Sequence, residues 1–278
     1  MPARVCPHCG ALNSSDERRC TRCQRSLPGP LLASVGKLWT AALGKEAPLT
    51  RLYVGLCVVV FVLMTLASGK LEMLGAGRPS EALRWGAIFT PLLAAEPWRY
   101  LSAAFVHFGV LHVGFNMMAL SDLGRATEQR LGSGRFVLIF IGTSVAGFAG
   151  SHLWYELRGQ PAFTAGASAG LFGLIGVLVG YLYAAKDPAW KQFLLRVVIY
   201  AAIFAVAFPV NNAAHIGGFL TGAPLGYAFY KEARPWQRNA GFALVAAVLV
   251  LASFASIALS HASPAWQQER AREIARGR

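Results

Sequence analysis

Asn211-Asn212-Ala213-Ala214-His215-Ile216-Gly217-Gly218-Phe219-Leu220-Thr221-Gly222, continued to Gly226, is the stretch on which the fold turns. Gly218, Gly222 and Gly226 recur every four residues, and on a helix that spacing sets them along one face. A stripe of small residues lets a second helix approach closely, a packing device of helices in a bilayer. His215 stands one turn ahead of Gly218, roughly on the same face, and is therefore turned toward a neighbouring helix. A matching surface lies upstream, where Gly170, Gly173, Gly176 and Gly180 follow the string Gly166-Ala167-Ser168-Ala169-Gly170. Contact between the two glycine faces brings Ser168 and His215 together.

Composition places these helices in a membrane. Of 278 residues, 55% are apolar or aromatic and only 14% charged, where soluble domains carry about 25% charged. None of the 13 acidic residues lies in the middle of a long apolar run, as expected where an unpaired carboxylate costs several kcal/mol. That absence excludes an aspartyl intramembrane protease, which needs membrane-embedded aspartates. The lack of His-Glu-x-x-His excludes a zinc intramembrane protease. The net charge of +13 comes from Lys and Arg dispersed among short connections, with no basic helix or stacking platform, so nucleic acid is not an expected partner.

Seven apolar stretches are long enough for spans: Leu49–Ala67, Leu101–Leu120, Phe136–Tyr155, Ala167–Ala185, Phe193–Phe208, Ala213–Tyr230 and Ala240–Leu259. The expected architecture is an all-α polytopic membrane protein: a core over 49–230, a seventh transmembrane helix over 240–260 and an Arg-rich polar tail over 261–278. The connection from Ser68 to Tyr100 is long. Its Trp85, Ile88, Phe89, Leu92, Leu93 and Trp98 suggest a segment lying in the membrane interface. Basic residues gather before the first span (Arg4, Arg18, Arg19, Arg22, Arg25, Lys37, Lys45, Arg51) and between spans two and three (Arg125, Arg130, Arg135). They recur between four and five (Lys186, Lys191) and between six and seven (Lys231, Arg234, Arg238). The opposite connections carry Arg158 and none near Pro209, so the positive-inside rule puts the N-terminus in the cytoplasm. Lys70, Arg78, Arg84 and Arg99 in the long first loop, and the tail from Arg270 to Arg278, fit that rule less well.

Residues 1–25 form a separate polar unit, followed by a linker over 26–48 containing Pro28, Gly29, Pro30 and Gly44. The start is polar and cysteine-rich, unlike a cleavable signal peptide. Cys6-Pro7-His8-Cys9 and Cys20-Thr21-Arg22-Cys23 are two Cys-x-x-Cys pairs. Four thiolates so spaced hold a structural Zn²⁺, which substitutes for a core too small to fold alone. Two disulfides are the alternative, disfavoured for a reducing cytoplasm. The unit resembles the short zinc ribbons of many bacterial proteins and is a structural or docking module, with a cytoplasmic partner expected. Cys57 stands alone in the first span as a packing residue.

Span two is unusually polar for its position, with Ser102, His107, His112 and Asn116. His112 and Asn116, four apart, share a helical face. Such groups either hydrogen-bond a neighbouring helix or line a water-filled cavity. The Gly-x-Ser-x-Gly around Ser168 matches the nucleophile elbow of soluble α/β-hydrolases, but without the strand and sheet that context needs. A close helix-packing seam is the other reading.

Taken together these pieces resemble the rhomboid intramembrane serine proteases. The resemblance rests on Trp98-Arg99, His107-x4-His112-x3-Asn116, Gly124-Arg125 with Glu128, and Gly132-x-Gly134-Arg135-Phe136. It continues in Gly166-Ala167-Ser168 and Ala214-His215-Ile216-Gly217-Gly218-Phe219, in the family's order across roughly 50–230. One departure is Ala169, where many relatives carry glycine. The resemblance implies a six-helix core, here with a seventh helix, and no catalytic cofactor. It implies Ser168 as nucleophile and His215 as its base, an oxyanion site from the Ser168 N–H with His112 and Asn116, and His107 as site support. Arg99 and Glu128 are implied to be structural, fixing the first loop and the two-to-three connection. With no carboxylate in spans four or six, the catalytic unit is expected to be a dyad, its imidazole packed on Phe172 or another aromatic. Implied partners are the lipid bilayer and single-span membrane-protein substrates, and the expected location is a bacterial plasma membrane. Two other readings compete: a catalytically inactive rhomboid-like client-binding protein, and a small transporter, for which no repeat between halves is visible.

Overall fold

A computed structural model describes residues 3–6, 9–14, 17–27, 29, 46–69, 78–207, 210–232 and 240–276. Most of the expected linker, together with His8, Lys70, Pro209, Arg234, Arg238 and Arg278, lies outside them. The chain divides into two compact units, Met1–Pro48 and Leu49–Arg278.

In the first unit β1 (Ala3–Val5) pairs antiparallel with β2 (Leu12–Ser14), with Val5 opposite Leu12. Each Cys-x-x-Cys pair then turns through a tight backbone knuckle. Gly10 N–H donates to the Cys6 carbonyl at 3.0 Å, and Gln24 N–H donates to that of Cys20 at 2.9 Å. Gly10 and Gln24 both sit at positive φ (74° and 58°). Among the described residues the buried members of the unit's apolar core are Cys6, Cys20 and Leu27.

The second unit begins with α1 (Pro48–Ser68). Its N-terminus is held by Glu128, whose carboxylate accepts from Leu49 N–H (3.1 Å), Thr50 N–H (2.8 Å) and Thr50 Oγ1 (2.8 Å). A carboxylate there satisfies helix N–H groups that have no carbonyl of their own and complements the helix dipole. The first loop contains α2 (Pro79–Trp85), the two-residue strand β3 (Ile88–Phe89) and α3 (Arg99–Ser102). Ile88 and Leu93, expected at a membrane interface, are buried inside the protein. Arg99 organises the loop. Its fully buried guanidinium pairs with Glu96 and donates to the carbonyls of Leu83 (2.6 Å) and Ala87 (2.9 Å).

The expected span Leu101–Leu120 is not one helix. A 3₁₀ turn (Ala103–Phe105) ends at an extended Val106, and α4 (Val110–Leu131) restarts after Gly109 at 93° to the first piece. The break falls at Val106-His107-Phe108-Gly109, residues of modest helix propensity, where side-chain bonds of His107 and His112 replace helical ones. α4 then runs past Leu120 to Leu131 and meets α5 (Ser133–Leu157) through Gly132 at φ 81°. Arg125 and Arg130 therefore lie on the last turns of α4, not in a connecting loop. Arg135, in the first turn of α5, pairs with Glu232 at 2.9 Å.

The strand β4 (Phe163–Thr164) pairs with β3 and leads into α6 (Ser168–Ala184). α7 (Ala189–Ala207), α8 (Asn212–Lys231), α9 (Ala240–Ala262) and α10 (Ala265–Ala275) complete the unit. The predicted glycine contact is present. A Cβ on Gly218 would stand 2.1 Å from the Ala169 carbonyl oxygen, one on Gly222 2.1 Å from that of Gly173, and one on Gly226 2.0 Å from that of Val177. Among the described residues four helices are long and apolar enough to cross a membrane unaided, five if the bent pair counts as one span. α6 falls short at 17 residues, about 26 Å against a hydrocarbon core of about 30 Å. The expected polar tail 261–278 is also corrected: most of it is α10, packed on α2 with Glu269 and Glu273 buried.

Candidate active site

Ser168 is the first residue of α6, and His215 lies in the first turn of α8. The glycine seam fixes the two helices at backbone contact, and their ends meet with His215 Nε2 2.9 Å from Ser168 Oγ. Phe172, one turn further along α6, stacks on the imidazole with centroids 4.3 Å apart. Among the described residues no carboxylate pairs with His215, so the expected dyad has this ring face where a triad has an acid.

His107 and His112, the expected support and oxyanion residues, can be assigned tautomers from their partners. His107 Nε2 accepts from Ala167 N–H at 3.3 Å, so its proton is on Nδ1, which faces the Phe105 carbonyl at 3.3 Å. It thereby ties the helix break to the residue before Ser168. His112 Nδ1 accepts from Phe108 N–H at 3.3 Å, which leaves Nε2 as a donor. That edge of the ring faces Gly166, where an added Cβ would come within 2.7 Å of Nε2. Asn116 is buried one turn below, its Nδ2 donating to the His112 carbonyl at 2.7 Å, and it bonds neither Ser168 nor His215. The Ser168 N–H belongs to the first turn of α6, where amides have no intrahelical carbonyl and the helix dipole favours negative charge.

Asn211 is a contributor whose role was not read from the sequence. Its Oδ1 caps α8 by accepting from Ala214 N–H at 3.1 Å. Its Nδ2 donates to Ser151 Oγ (2.6 Å) and Thr164 Oγ1 (2.9 Å), tying the start of the His215 helix to α5 and to β4 before Ser168. An asparagine ahead of an apolar helix is a cap signal, so the position was legible. Gly166 is the second. Its φ of 120° favours glycine, and its N–H donates to the Ala103 carbonyl at 2.8 Å.

The four cysteines of the N-terminal unit form a candidate metal site. Their sulfurs lie within 4.8 Å of one another, with Cys6–Cys23 at 3.7 Å and Cys9–Cys20 at 3.5 Å. Tetrahedral zinc at about 2.3 Å from each sulfur sets them about 3.8 Å apart, so the donor set fits that ion. Backbone N–H groups, that of Cys23 foremost, push the Cys20 thiol down to about 6, toward the thiolate a metal needs.

Fold and site define a multi-pass helical membrane protein with a serine and a histidine joined at the ends of two closely packed helices. Residues 94–232 match the family model described as the Rhomboid domain. The proteins named rhomboid protease GlpG from Salmonella paratyphi A and Salmonella typhi are each 30% identical over 200 residues, covering 68% of this chain and 66% of theirs. That from Salmonella choleraesuis is also 30% identical over 200 residues. The chain belongs to the rhomboid family. It spans 66% of the length of the curated relatives it matches.

Proposed function

We propose that this chain is an intramembrane serine endopeptidase that hydrolyses peptide bonds in or near transmembrane segments of single-span membrane proteins. The observation that carries the reading is the 2.9 Å contact between Ser168 Oγ and His215 Nε2. A serine hydroxyl is a weak nucleophile until a base within hydrogen-bond reach takes its proton. In this reading His215 does so through Nε2 and returns the proton to the leaving amine. The oxyanion of the tetrahedral intermediate is held by the Ser168 N–H and His112 Nε2–H, with Asn116 completing the set after its amide turns. Each such donor contributes about 2.7–4 kcal/mol to the transition state.

In this reading water reaches the dyad because α6 is too short to span and Ser168 is its first residue. The scissile peptide must be extended to be attacked, which favours segments with small or helix-breaking residues. The orientation supported by the distribution of basic residues has the N-terminus in the cytoplasm and the dyad opening to the opposite side. The four-cysteine unit then sits in a reducing compartment and holds a structural Zn²⁺ through Cys6, Cys9, Cys20 and Cys23, with no part in the hydrolysis. A bacterial plasma membrane is the location that fits these features.

The test is cleavage of a single-span substrate in proteoliposomes by wild type, Ser168→Ala and His215→Ala, with fluorophosphonate labelling of each. Cleavage and labelling by wild type alone support the dyad. A folded wild type that does neither returns the chain to a client-binding role without proteolysis.

A further inference from the structure

The end of α9 and the whole of α10 grip the first loop at several points. Ser263 Oγ hydrogen-bonds one oxygen of Glu96, whose other oxygen holds Arg99, and the same Oγ accepts from Ala265 N–H at 3.1 Å at the start of α10. Trp98 Nε1 donates to Ser260 Oγ at 3.2 Å. Arg84 donates to His261 Nδ1 at 3.3 Å and lies 5.0 Å from the centre of the Trp266 ring. Glu273 accepts from the N–H (2.9 Å) and Oγ (2.6 Å) of Ser80. Glu96, Ser263 and Glu273 are all buried. Buried charged groups with satisfied partners hold one geometry, because each broken bond leaves an unpaired charge.

The same loop is bonded to the backbone that carries the nucleophile. Ile88 pairs with Thr164 and Phe89 with Phe163, whose rings stack at 4.3 Å. Thr90 N–H donates to the Ala162 carbonyl (3.1 Å), Ala162 N–H donates back to Thr90 Oγ1 (3.0 Å), and Gly166 N–H reaches the Ala103 carbonyl. Hydrogen bonds joined by the covalent backbone of the first loop therefore link α10 to the residues immediately before Ser168.

We infer that the segment from Ser260 to Ala275 is a clasp on the first loop, and that Ser263 and Glu273 are positioning residues which set the strand pair β3–β4 and, through it, the amide of Ser168. The consequence for rate rests on the protease reading; the consequence for backbone protection does not. A misplacement of about 1 Å at a reacting group costs up to roughly a hundredfold in rate, so loosening at this distance should cost less.

The experiment uses full-length protein in proteoliposomes and compares wild type, the double variant Ser263→Ala/Glu273→Gln, and Ser263→Thr, which keeps the hydroxyl. Amide hydrogen exchange in the double variant is expected to rise roughly tenfold across 79–89 and across 162–166, with residues 170–180 of α6 unchanged. The kcat is expected to fall roughly tenfold with KM within about twofold, and Ser263→Thr to retain wild-type behaviour. Exchange that rises in 79–89 and stops there, or does not rise, overturns the clasp. A wild type that neither cleaves nor labels sinks the protease reading while exchange still decides the clasp. If the double variant does not fold, Ser80→Ala, which removes one partner of Glu273, is read by the same exchange pattern.

Discussion

The ring of Phe172 lies within 8° of parallel to the imidazole of His215, one turn beyond Ser168 on the same helix. The general base of the proposed mechanism must keep both its tautomer and its direction, and this aromatic face limits how the imidazole can turn. Phe172→Ala is expected to lower kcat roughly a hundredfold with little change in KM, while Phe172→Tyr keeps the ring and most of the rate. Steady-state kinetics on a single-span substrate decides it. A loss confined to KM would make Phe172 a substrate contact.

Gly166 combines a left-handed backbone with an open side toward His112, so alanine there is strained and also meets the ring. In the proposed mechanism His112 is an oxyanion donor, and that contact moves it. We expect Gly166→Ala to lower kcat by about a hundredfold or more. Gly114, on α4 with nothing within 4 Å of an added Cβ, is the contrast. Gly114→Ala should keep activity and stabilise the helix by up to about 1 kcal/mol.

The contact between Ser168 and His215 and the seam beneath it were legible because glycines at three- and four-residue spacing share one face of a helix, and His215 and Ser168 each stand at the head of such a run. What the apolar pattern hid was the break at Val106–Gly109. Residues 101–120 are apolar enough to read as one span, and the bend is held by His112 accepting from Phe108 N–H, His107 accepting from Ala167 N–H and the Ala103 carbonyl accepting from Gly166 N–H. The C-terminal helix was hidden for the opposite reason. Its Arg-rich exterior reads as a polar tail, while the face that matters consists of Glu269 and Glu273, buried against a loop almost two hundred residues earlier in the chain (Ser80 to Glu273 is 193 residues). The two ends of α4 and the role of Asn211 lay between these cases: the residues carried signals, but too short to outweigh the hydropathy around them.

The seam itself can be tested apart from chemistry. A methyl on Gly222 has to displace the Gly173 backbone, which cannot yield as a flexible side chain would. Gly222→Ala should destabilise the folded protein by about 1–3 kcal/mol, the usual cost of overpacking, and separate His215 from Ser168. Gly55→Ala on α1, with open space around it, should do neither. Thermal unfolding in detergent alongside fluorophosphonate labelling reads both effects.

Asn211 couples a helix cap to two cross-links, so its loss should cost more than a cap alone. Asn211→Ala removes the bond to Ala214 N–H and leaves Ser151 and Thr164 without their donor. The cap contributes about 1 kcal/mol. A fall in stability of about 2 kcal/mol is expected, with kcat reduced because β4 and the first turn of α8 lose their common anchor. Asn211→Asp keeps the cap acceptor, and the Ser151 and Thr164 hydroxyls can turn to donate to its carboxylate, so stability and rate should both return in part.

The four-cysteine unit makes its own prediction. Its apolar core is too small to offset the conformational entropy of ordering more than twenty residues, at about 1–2 kcal/mol each for the backbone. A metal held by the four sulfurs supplies what the core lacks. Purified protein is expected to carry one zinc per chain by elemental analysis, and a strong chelator should abolish the dispersed amide signals of residues 3–27 while the helical circular dichroism signal persists. Cys20→Ser should lower zinc content the most, since Cys20, buried like Cys6, also accepts from Asn13 Nδ2 at 3.6 Å. Protein that arrives free of zinc, with its hairpin intact and indifferent to chelator, would mean that the close approach of the four sulfurs serves packing alone.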